Sequence, residues 1–479
     1  MKIINDGLGI HEFPSYVGSL LEPAEMQRLK FVQQLGAVSG VFPNATHMRY
    51  SHSIGTAAIA ATLLNNAAKK GPEKIDEHEF ELNVIAGGLY HDLGQFPRSH
   101  TCERPLRIKI GYTHEKMSAR LIRGEVTLLE AYEKMPKGVV ADQERSTMIA
   151  LLKNMPTPAE ALRRAGGNPE IVAEIADSKS GQHHIGKNRF LHEIVSGMIG
   201  SDRMDYLLRD SMMAGVKETM FNSEYLMKRV CLVEINGEYH LAVEKQAVQT
   251  VGEMLAARRK MHTRVYTHED VLQNEAGLVE GVKRTLNSLE DKVGECILLM
   301  TDAQLQRFVH MYSRDPYASD MVARSSYNQR SGYIIAWGIT SGANHIEENA
   351  RFIEAISRLP GEFPEDTARD EILARVNAGM REPLKSHELI VYVRDGFKQK
   401  TKEQQLQSFD LIIYDKKRDE VYFARDRLED PDLFDSDIVE AFEAMRKPSN
   451  SFNILVLAPA AHIHRIPAAF GEYRRELIK

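Results

Sequence analysis

The stretch Gly87–His100, GGLYHDLGQFPRSH, places His91 and Asp92 side by side behind an apolar helical pattern (Leu82, Ile85, Ala86, Leu89), and a Gly and Pro break then leads to His100. Neutral imidazole and carboxylate oxygen suit Mn, Fe, Zn, Ni or Co and discriminate poorly among them. Adjacent helical side chains lie about 100° apart, so His91 and Asp92 can straddle one ion, with further donors supplied by other helices. His52 in RYSHSIG shares a stripe with Ile59 and Leu63. Asp202 in GSDRMDYLLRDS follows Leu191, Ile194, Val195 and Met198 at helical spacing, which puts a carboxylate on an apolar face. A metal or an arginine would each resolve the cost of burying it. One histidine on an apolar face says little, and neither does one His-Asp pair. The ordered set of His, then His-Asp, then a distant Asp, each on its own helix, points to a metal centre.

The elements that must position these residues are mostly helical up to about residue 275. EPAEMQRLKFVQQLG predicts a helix stopping at Gly36, with Met26, Leu29, Val32 and Leu35 at helical spacing. SHSIGTAAIAATLLNNAAKKG predicts another, from a Ser51 cap to Gly71, and FLHEIVSGMIGSDRMDYLLRDSMMAGV predicts a further strong helix. VCLVEINGEYHLAVE reads as a small β-hairpin turning at its Asn-Gly pair, followed by a long helix carrying MLAARRKMHTRVYTH. Beyond about residue 380, ELIVYV, FDLIIYD, EVYFAR and NILVLAP read as strands of a small C-terminal α+β lobe, with residues 358–371 as a linker.

The 479 residues carry 43% hydrophobic and 27% charged side chains and a net charge of −6, which describes a soluble globular chain without general nucleic-acid-binding character. Cys102, Cys231 and Cys296 form no CxxC pair, which fits a reducing cytosol. MKIINDGLGIHEF lacks the apolar core of a signal peptide, and no run approaches the roughly 20 apolar residues of a membrane span. The expected location is cytoplasmic, away from membranes.

Four separated motifs agree in order: MQRLKFVQQLGAVSGVFPNATHMRYSHSIG, HDLGQFPRSH, YTHE and DRMDYLLRDS. Over roughly residues 3–270 the chain resembles the deoxynucleoside triphosphate triphosphohydrolase branch of the HD-domain metal phosphohydrolases. The fold implied is mainly α: an HD-domain helical core over 1–275, a helical extension and linker over 276–370, and the C-terminal α+β lobe over 371–479. No SAM domain is expected, since the core begins almost at Met1.

The resemblance implies His52, His91, Asp92 and Asp202 as ligands of a divalent metal (Mn, Fe, Mg, Zn, Ni or Co). Asp92, His100 and His114 would be catalytic, with His114 at a helix start after Thr113, where the helix dipole favours anions. Arg49, Arg203, Arg258 and Tyr206 match positions that bind triphosphate or sugar. Asp210 matches a carboxylate beside the ribose 3′-hydroxyl, Gln34 and Leu35 match residues that crowd a 2′-hydroxyl, and Tyr266 matches a tyrosine at the same end of the pocket. Where close family members read HDLGHGPFSH, this chain reads HDLGQFPRSH. Gln95 thus takes the place of a phosphate-contacting histidine; it can hydrogen-bond but cannot titrate near neutrality, while Arg98 adds a cation.

The implied reaction is hydrolysis of a deoxynucleoside triphosphate to deoxynucleoside and tripolyphosphate. The alternatives are an HD phosphohydrolase acting on a monophosphate, a signalling nucleotide or a nucleic-acid end, and a nucleotide-sensing interaction protein. The charges of AARRKMHTR suit single-stranded nucleic acid only weakly, since a triphosphate site explains them equally. Animal members of the branch are activated by nucleotides at a subunit interface. The matched positions here are Glu22, Gln27, Lys30, Glu244, Gln246 and Glu269, where lysine lacks the arginine fork and carboxylates oppose phosphate. Activation of that kind is not expected; a homo-oligomer (dimer, tetramer or hexamer) is.

Overall fold

The computed structural model describes residues 1–70, 75–177, 184–289, 294–326, 333–338, 351–352, 355–378, 383–393, 411–427, 430, 439 and 454–478. A hairpin of β1 (Lys2–Asn5) and β2 (Ile10–Phe13) leads into α1 (Ala24–Arg28), which stops well short of Gly36. Leu29–Phe31 tighten into a 3-10 turn and Val32 is already extended. The backbone there is spent on sheet-like pairing, because Gln33 bridges Met48 and the Gln34 N–H donates to the His47 carbonyl at 3.0 Å. That pairing also starts α2 (Arg49–Ala68) earlier than the Ser51 cap expected from sequence: the Arg49 N–H donates to the Val32 carbonyl at 3.0 Å. The expected stop at Gly71 lies outside the described residues.

Helix α2 packs closely on α3 (Glu77–Tyr90). A Cβ on Gly88 would lie 2.7 Å from the Ala57 Cα, so the approach requires glycine there. The Tyr90 hydroxyl anchors α3 by donating to the Leu20 carbonyl at 2.7 Å. Next come α4 (His100–Ile110) and α5 (His114–Arg123), the latter capped by Thr113, whose hydroxyl accepts from the Lys116 N–H.

The helix expected across FLHEIVSGMIGSDRMDYLLRDSMMAGV is two helices, α6 (Phe190–Ser196) and α7 (Ser201–Ala214). Gly197 and Gly200 make the break, because a Cβ on either would press into the Glu193 or Val195 carbonyl at 2.3 or 2.6 Å. Asp202 therefore does not continue the apolar stripe of Leu191, Ile194, Val195 and Met198. It sits in the first turn of α7.

Strands β3 (Val230–Ile235) and β4 (Glu238–Glu244) form the hairpin, with Asn236 and Gly237 at φ of 53° and 83°, the left-handed pair a tight turn demands. The long helix that follows is α8 (Val248–Met261), which loosens into a π-helical turn over His262–Tyr266 before α9 (Glu269–Asn287). Helix α10 (Asp302–Tyr312) begins at a Thr301–Gln304 capping box.

The four late strands expected from sequence form. They divide between two sheets: β6 (Ile390–Val393) and β9 (Ile454–Pro459) join β5 (Tyr333–Gly338) in the order β5-β9-β6, while β7 (Ile412–Asp415) and β8 (Glu420–Phe423) extend the hairpin into a sheet of order β3-β4-β7-β8. A lone hairpin is marginal in water. Here β7 covers the β4 edge in parallel, and Cys231, Val233 and Ala242 are buried with Ile412 and Tyr414. Helix α9 runs across residue 275 and packs Leu272, Ala276 and Val279 against Ile390, Tyr392, Leu455 and Leu457. Residues 364–371 of the expected linker belong to α11 (Pro364–Asn377), which shares a core with α12 (Ile466–Ile478). The buried Lys283 of α9 binds Glu280 and Asp366, each at 2.6 Å. No described helix is long and apolar enough to cross a membrane.

Replacing Gly88 by valine should force α2 and α3 apart. Overpacking of this kind costs about 1–3 kcal/mol, and thermal unfolding of the variant should move to lower temperature by a matching amount.

Candidate active site

His52 points from the first turn of α2, His91 caps the end of α3, Asp92 follows it, and Asp202 comes from the start of α7. His52, His91 and Asp202 each offer a donor atom, all within 4.8 Å of one another. Asp202 Oδ1 lies 3.2 Å from His52 Nε2 and 3.7 Å from His91 Nε2. Asp92 Oδ2 lies 3.6 Å and 3.4 Å from the same two nitrogens. The two rings meet edge to face at 5.2 Å.

The ring nitrogens test whether this set fits an ion. His52 Nδ1 bonds Asp205 Oδ2 at 2.7 Å and His91 Nδ1 bonds the Gly88 carbonyl at 2.9 Å, so Nδ1 donates in both rings and Nε2 is left as a lone pair. Both Nε2 atoms are buried without a hydrogen-bond partner. This is the arrangement in which outer hydrogen bonds orient metal-binding imidazoles. The protein alone can offer His52 a proton. Burial opposes that charge, but the adjacent Asp202 and Asp205 carboxylates outweigh it and raise the pKa to about 10. A proton on His52 leaves His91 Nε2 bare, whereas a divalent cation serves both nitrogens and both carboxylates.

Asp205 was not singled out from sequence, although it stands three residues after Asp202 and four before Arg209, on neighbouring helical positions. Arg209 donates to both Asp205 oxygens, at 2.9 and 2.8 Å, and to Asp6 Oδ2 at 2.5 Å. The support of His52 thus reaches back to the β1–β2 turn.

Beside the metal set, Arg49 is buried and donates Nε to Ser99 Oγ at 2.8 Å and Nη1 to Asp92 Oδ2. Burial alone would raise the Asp92 pKa, but Arg49 and the surrounding histidines hold it well below the usual carboxylate range. Gln95 is fully buried, and its amide oxygen accepts from Arg49 Nη2 at 2.6 Å in the orientation that satisfies both groups.

His100 and His114 face one carboxylate, that of Glu103. Each Nδ1 bonds a separate Glu103 oxygen at 2.8 Å. Glu103 was also missed in the sequence, though it lies one helical turn after His100. Burial opposes the charge of His114, and Glu103 outweighs it, raising its pKa to about 9. His100 is the open member, with 65% of its side chain exposed.

Further along α7, Asp210 is buried, with Oδ1 bonded to His47 Nε2 at 2.8 Å and Oδ2 accepting from the Tyr266 hydroxyl at 2.6 Å. The π-helical turn after α8 delivers that tyrosine. Arg258 Nε donates to the Tyr206 hydroxyl at 3.3 Å. Gln34 is buried with an unpaired Oε1, and Leu35 is half-buried beside it. Arg203 turns away to the Met198 carbonyl at 2.6 Å.

Residues 49–184, which hold His52, His91, Asp92, Glu103 and His114, match the HD-domain family. The chain carries an HD domain. Around it, the chain is 30% identical over 280 residues to the deoxynucleoside triphosphate triphosphohydrolase SAMHD1 of Bos taurus, covering 56% of this chain and 45% of that one. The human enzyme of the same name is 29% identical over 286 residues, covering 56% and 42%. The uncharacterized protein YwfO of Bacillus subtilis is 27% identical over 259 residues, covering 54% and 49%. The chain thus spans less than half the length of the two animal relatives. HD domains bind divalent metals, and the His52–His91–Asp202 cluster lies inside and just beyond the matched residues.

His91→Ala and Asp202→Ala should each purify without metal while keeping the helical circular-dichroism spectrum. Asp205→Asn should keep the fold and weaken metal affinity roughly 10- to 100-fold. Metal analysis and a chelator titration read both effects.

Proposed function

We propose that this chain hydrolyses deoxynucleoside triphosphates to deoxynucleoside and tripolyphosphate. The observation that carries the reading is the layout of α7. Asp202, Tyr206 and Asp210 recur every fourth residue on one face, which sets the metal end and the Asp210 end about 12 Å apart along the helix. That is room for phosphate at one end and sugar at the other. The similarity to enzymes named for this activity supports the same reading.

His52, His91, Asp92 and Asp202 would hold the divalent ion. When bound, such an ion polarises a phosphoryl oxygen and acidifies a water. Arg49 fixes phosphate oxygens, with Arg258 and Tyr206 beside the chain toward the sugar. Arg203 needs to swing from the Met198 carbonyl to take part. His114 gives its proton to the 5′-oxygen as the bond from that oxygen to the α-phosphorus breaks, while a water oxygen bonds the phosphorus from the opposite side and releases one of its protons to solvent. Glu103 keeps His114 protonated and orients it, and His100 shares the same carboxylate at the open side of the site. At the far end Asp210 accepts from the 3′-hydroxyl, exchanging it for His47 or Tyr266, and Gln34 and Leu35 leave no room at C2′.

The pH dependence follows from His114. Its pKa is raised above the ordinary histidine value, so the acid form persists through neutrality and is lost as pH rises through about 9. The rate of the pure enzyme should therefore fall on the alkaline side near that pH. In Glu103→Gln the fall should move toward the ordinary histidine range near 6.5, and an unmoved limb would remove His114 from the acid role.

Turnover of one pure dNTP should need no second nucleotide. Lys30 is committed to Gln27 at 2.7 Å and to the Tyr50 ring, and Glu244 is paired with Arg229 at 2.9 Å, so these positions present no ready cradle for an activating phosphate. Chromatographic identification of products from each dNTP and NTP, with and without GTP, tests both points. Tripolyphosphate from dNTPs alone supports the reading; equal turnover of dATP and ATP contradicts the sugar site, and silence until GTP is added contradicts independence.

A further inference from the structure

The turn that delivers His100 contains two successive non-glycine residues in the left-handed region, Arg98 at φ 61° and Ser99 at φ 53°. Side chains rarely tolerate this, and such a turn persists only where its surroundings over-determine it. The group that does so lies beyond the HD-domain match. Asp302, the first residue of α10, accepts the Arg98 N–H on Oδ1 at 2.7 Å and the Gln33 N–H on Oδ2 at 3.0 Å. It is 8% exposed, and the Thr301–Gln304 capping box fixes the backbone from which it reaches.

The two segments joined by this carboxylate are the two walls of the site. Gln33 leads directly into Gln34 and Leu35. Ser99 accepts from Arg49 at 2.8 Å, donates to the Gln33 carbonyl at 2.5 Å, and precedes His100. Arg28 completes the brace from the other side, donating to the Leu93, Gln95 and Met300 carbonyls at 3.0, 2.6 and 2.9 Å. Arg28 thus holds the Leu93 and Gln95 carbonyls of the loop and Asp302 its Arg98 amide, with Met300 and Asp302 in one short segment. Only a carboxylate meets both amides. An asparagine has one acceptor, and its amide N–H groups would face a second donor.

We infer that Asp302 is a positioning residue that keeps the Arg98–Ser99 turn left-handed and ties it to the Gln33–Leu35 wall, so that His100 and Arg49 meet the substrate in register. The kinetic consequence rests on the phosphohydrolase reading; the geometric one does not.

The test uses the full-length, Mn-loaded protein as wild type, Asp302→Asn and Asp302→Ala, and each again with Arg98→Gly, because glycine adopts a positive φ freely. Rates are measured on whichever dNTP, or on bis(p-nitrophenyl) phosphate, the wild type hydrolyses. Crystal structures are determined for wild type and Asp302→Asn. Bound metal should be unchanged. The kcat of Asp302→Ala should fall roughly 100-fold, as small misplacements of reacting groups do, with KM moving less and Asp302→Asn lying between. Adding Arg98→Gly should restore much of the loss, a rescue that general destabilisation would not give. If Asp302→Ala does not fold, Asp302→Asn carries the kinetic comparison. A wild-type kcat in the Asp302 variants, or no rescue by glycine, overturns the positioning role. A wild type inactive on every substrate overturns the functional reading instead. The torsions of residues 98 and 99 in Asp302→Asn then decide: a turn that leaves the left-handed region with a shift of His100 upholds the inference, and an unchanged turn ends it.

Discussion

A buried polar atom without a partner costs on the order of 1–3 kcal/mol, and this protein sets two of them, Nε2 of His52 and Nε2 of His91, side by side in its core. Much of the surrounding structure serves to keep them that way. Each ring must spend its Nδ1 proton elsewhere, His52 on Asp205 and His91 on the Gly88 carbonyl. Asp205 is in turn held by Arg209, and Arg209 by Asp6, so the first hairpin, α2 and α7 are committed to the orientation of one imidazole. The close approach of the rings depends on Gly88 against Ala57. Gly55 clears the space for Asp205, whose Oδ1 would lie 1.9 Å from a Cβ there.

The second group of titratable residues obeys a different rule. His100 and His114 are not left bare; they share the two oxygens of Glu103. For His114 the carboxylate favours the charged form, which suits proton donation and anion binding and is the opposite of what ligation needs. The histidines of this stretch of chain thus differ in what stands behind their Nδ1 atoms: a backbone carbonyl for His91, a glutamate for His100 and His114.

The grouping of His52, His91, Asp92 and Asp202 was legible from the order of the motifs, and the mainly helical core from periodicity, which reports local structure directly. The Asn-Gly hairpin was legible for the same reason. What escaped the sequence were features decided by pairing across distance. The helix through Leu35 fails because Gln33 and Gln34 find strand-like partners near Met48, a contact no propensity encodes. The break at Gly197 and Gly200 was hidden by apolar residues that keep helical spacing on both sides of it. The hairpin's sheet is completed by strands more than 160 residues later in the chain, as the pairing of Glu244 with Tyr414 illustrates. Asp205 and Glu103 were missed although each lies within one helical turn of a residue that was found. Only their partners reveal that they face inward.

Gln95 bears most directly on Arg49. The guanidinium is held by three acceptors from one segment: the Asp92 carboxylate, the Gln95 amide oxygen and the Ser99 hydroxyl. A histidine at position 95 would offer that guanidinium a ring whose accepting nitrogen disappears on protonation. Glutamine accepts at every pH, so the orientation of Arg49 is independent of the state of the site. The charge of Arg49 is a separate matter, since Asp92 balances it and any phosphate must compete with that carboxylate. A carboxylate that shares its charge with a divalent cation holds a guanidinium less strongly. With a cation bound, the neutral partners, Gln95 and Ser99, would keep Arg49 in place while its charge became available to the phosphate of the proposed substrate. For the proposed reaction, an amide in place of a titratable residue at this position would trade a proton carrier for a fixed geometry, and proton transfer would fall to the Glu103-linked pair on α4 and α5.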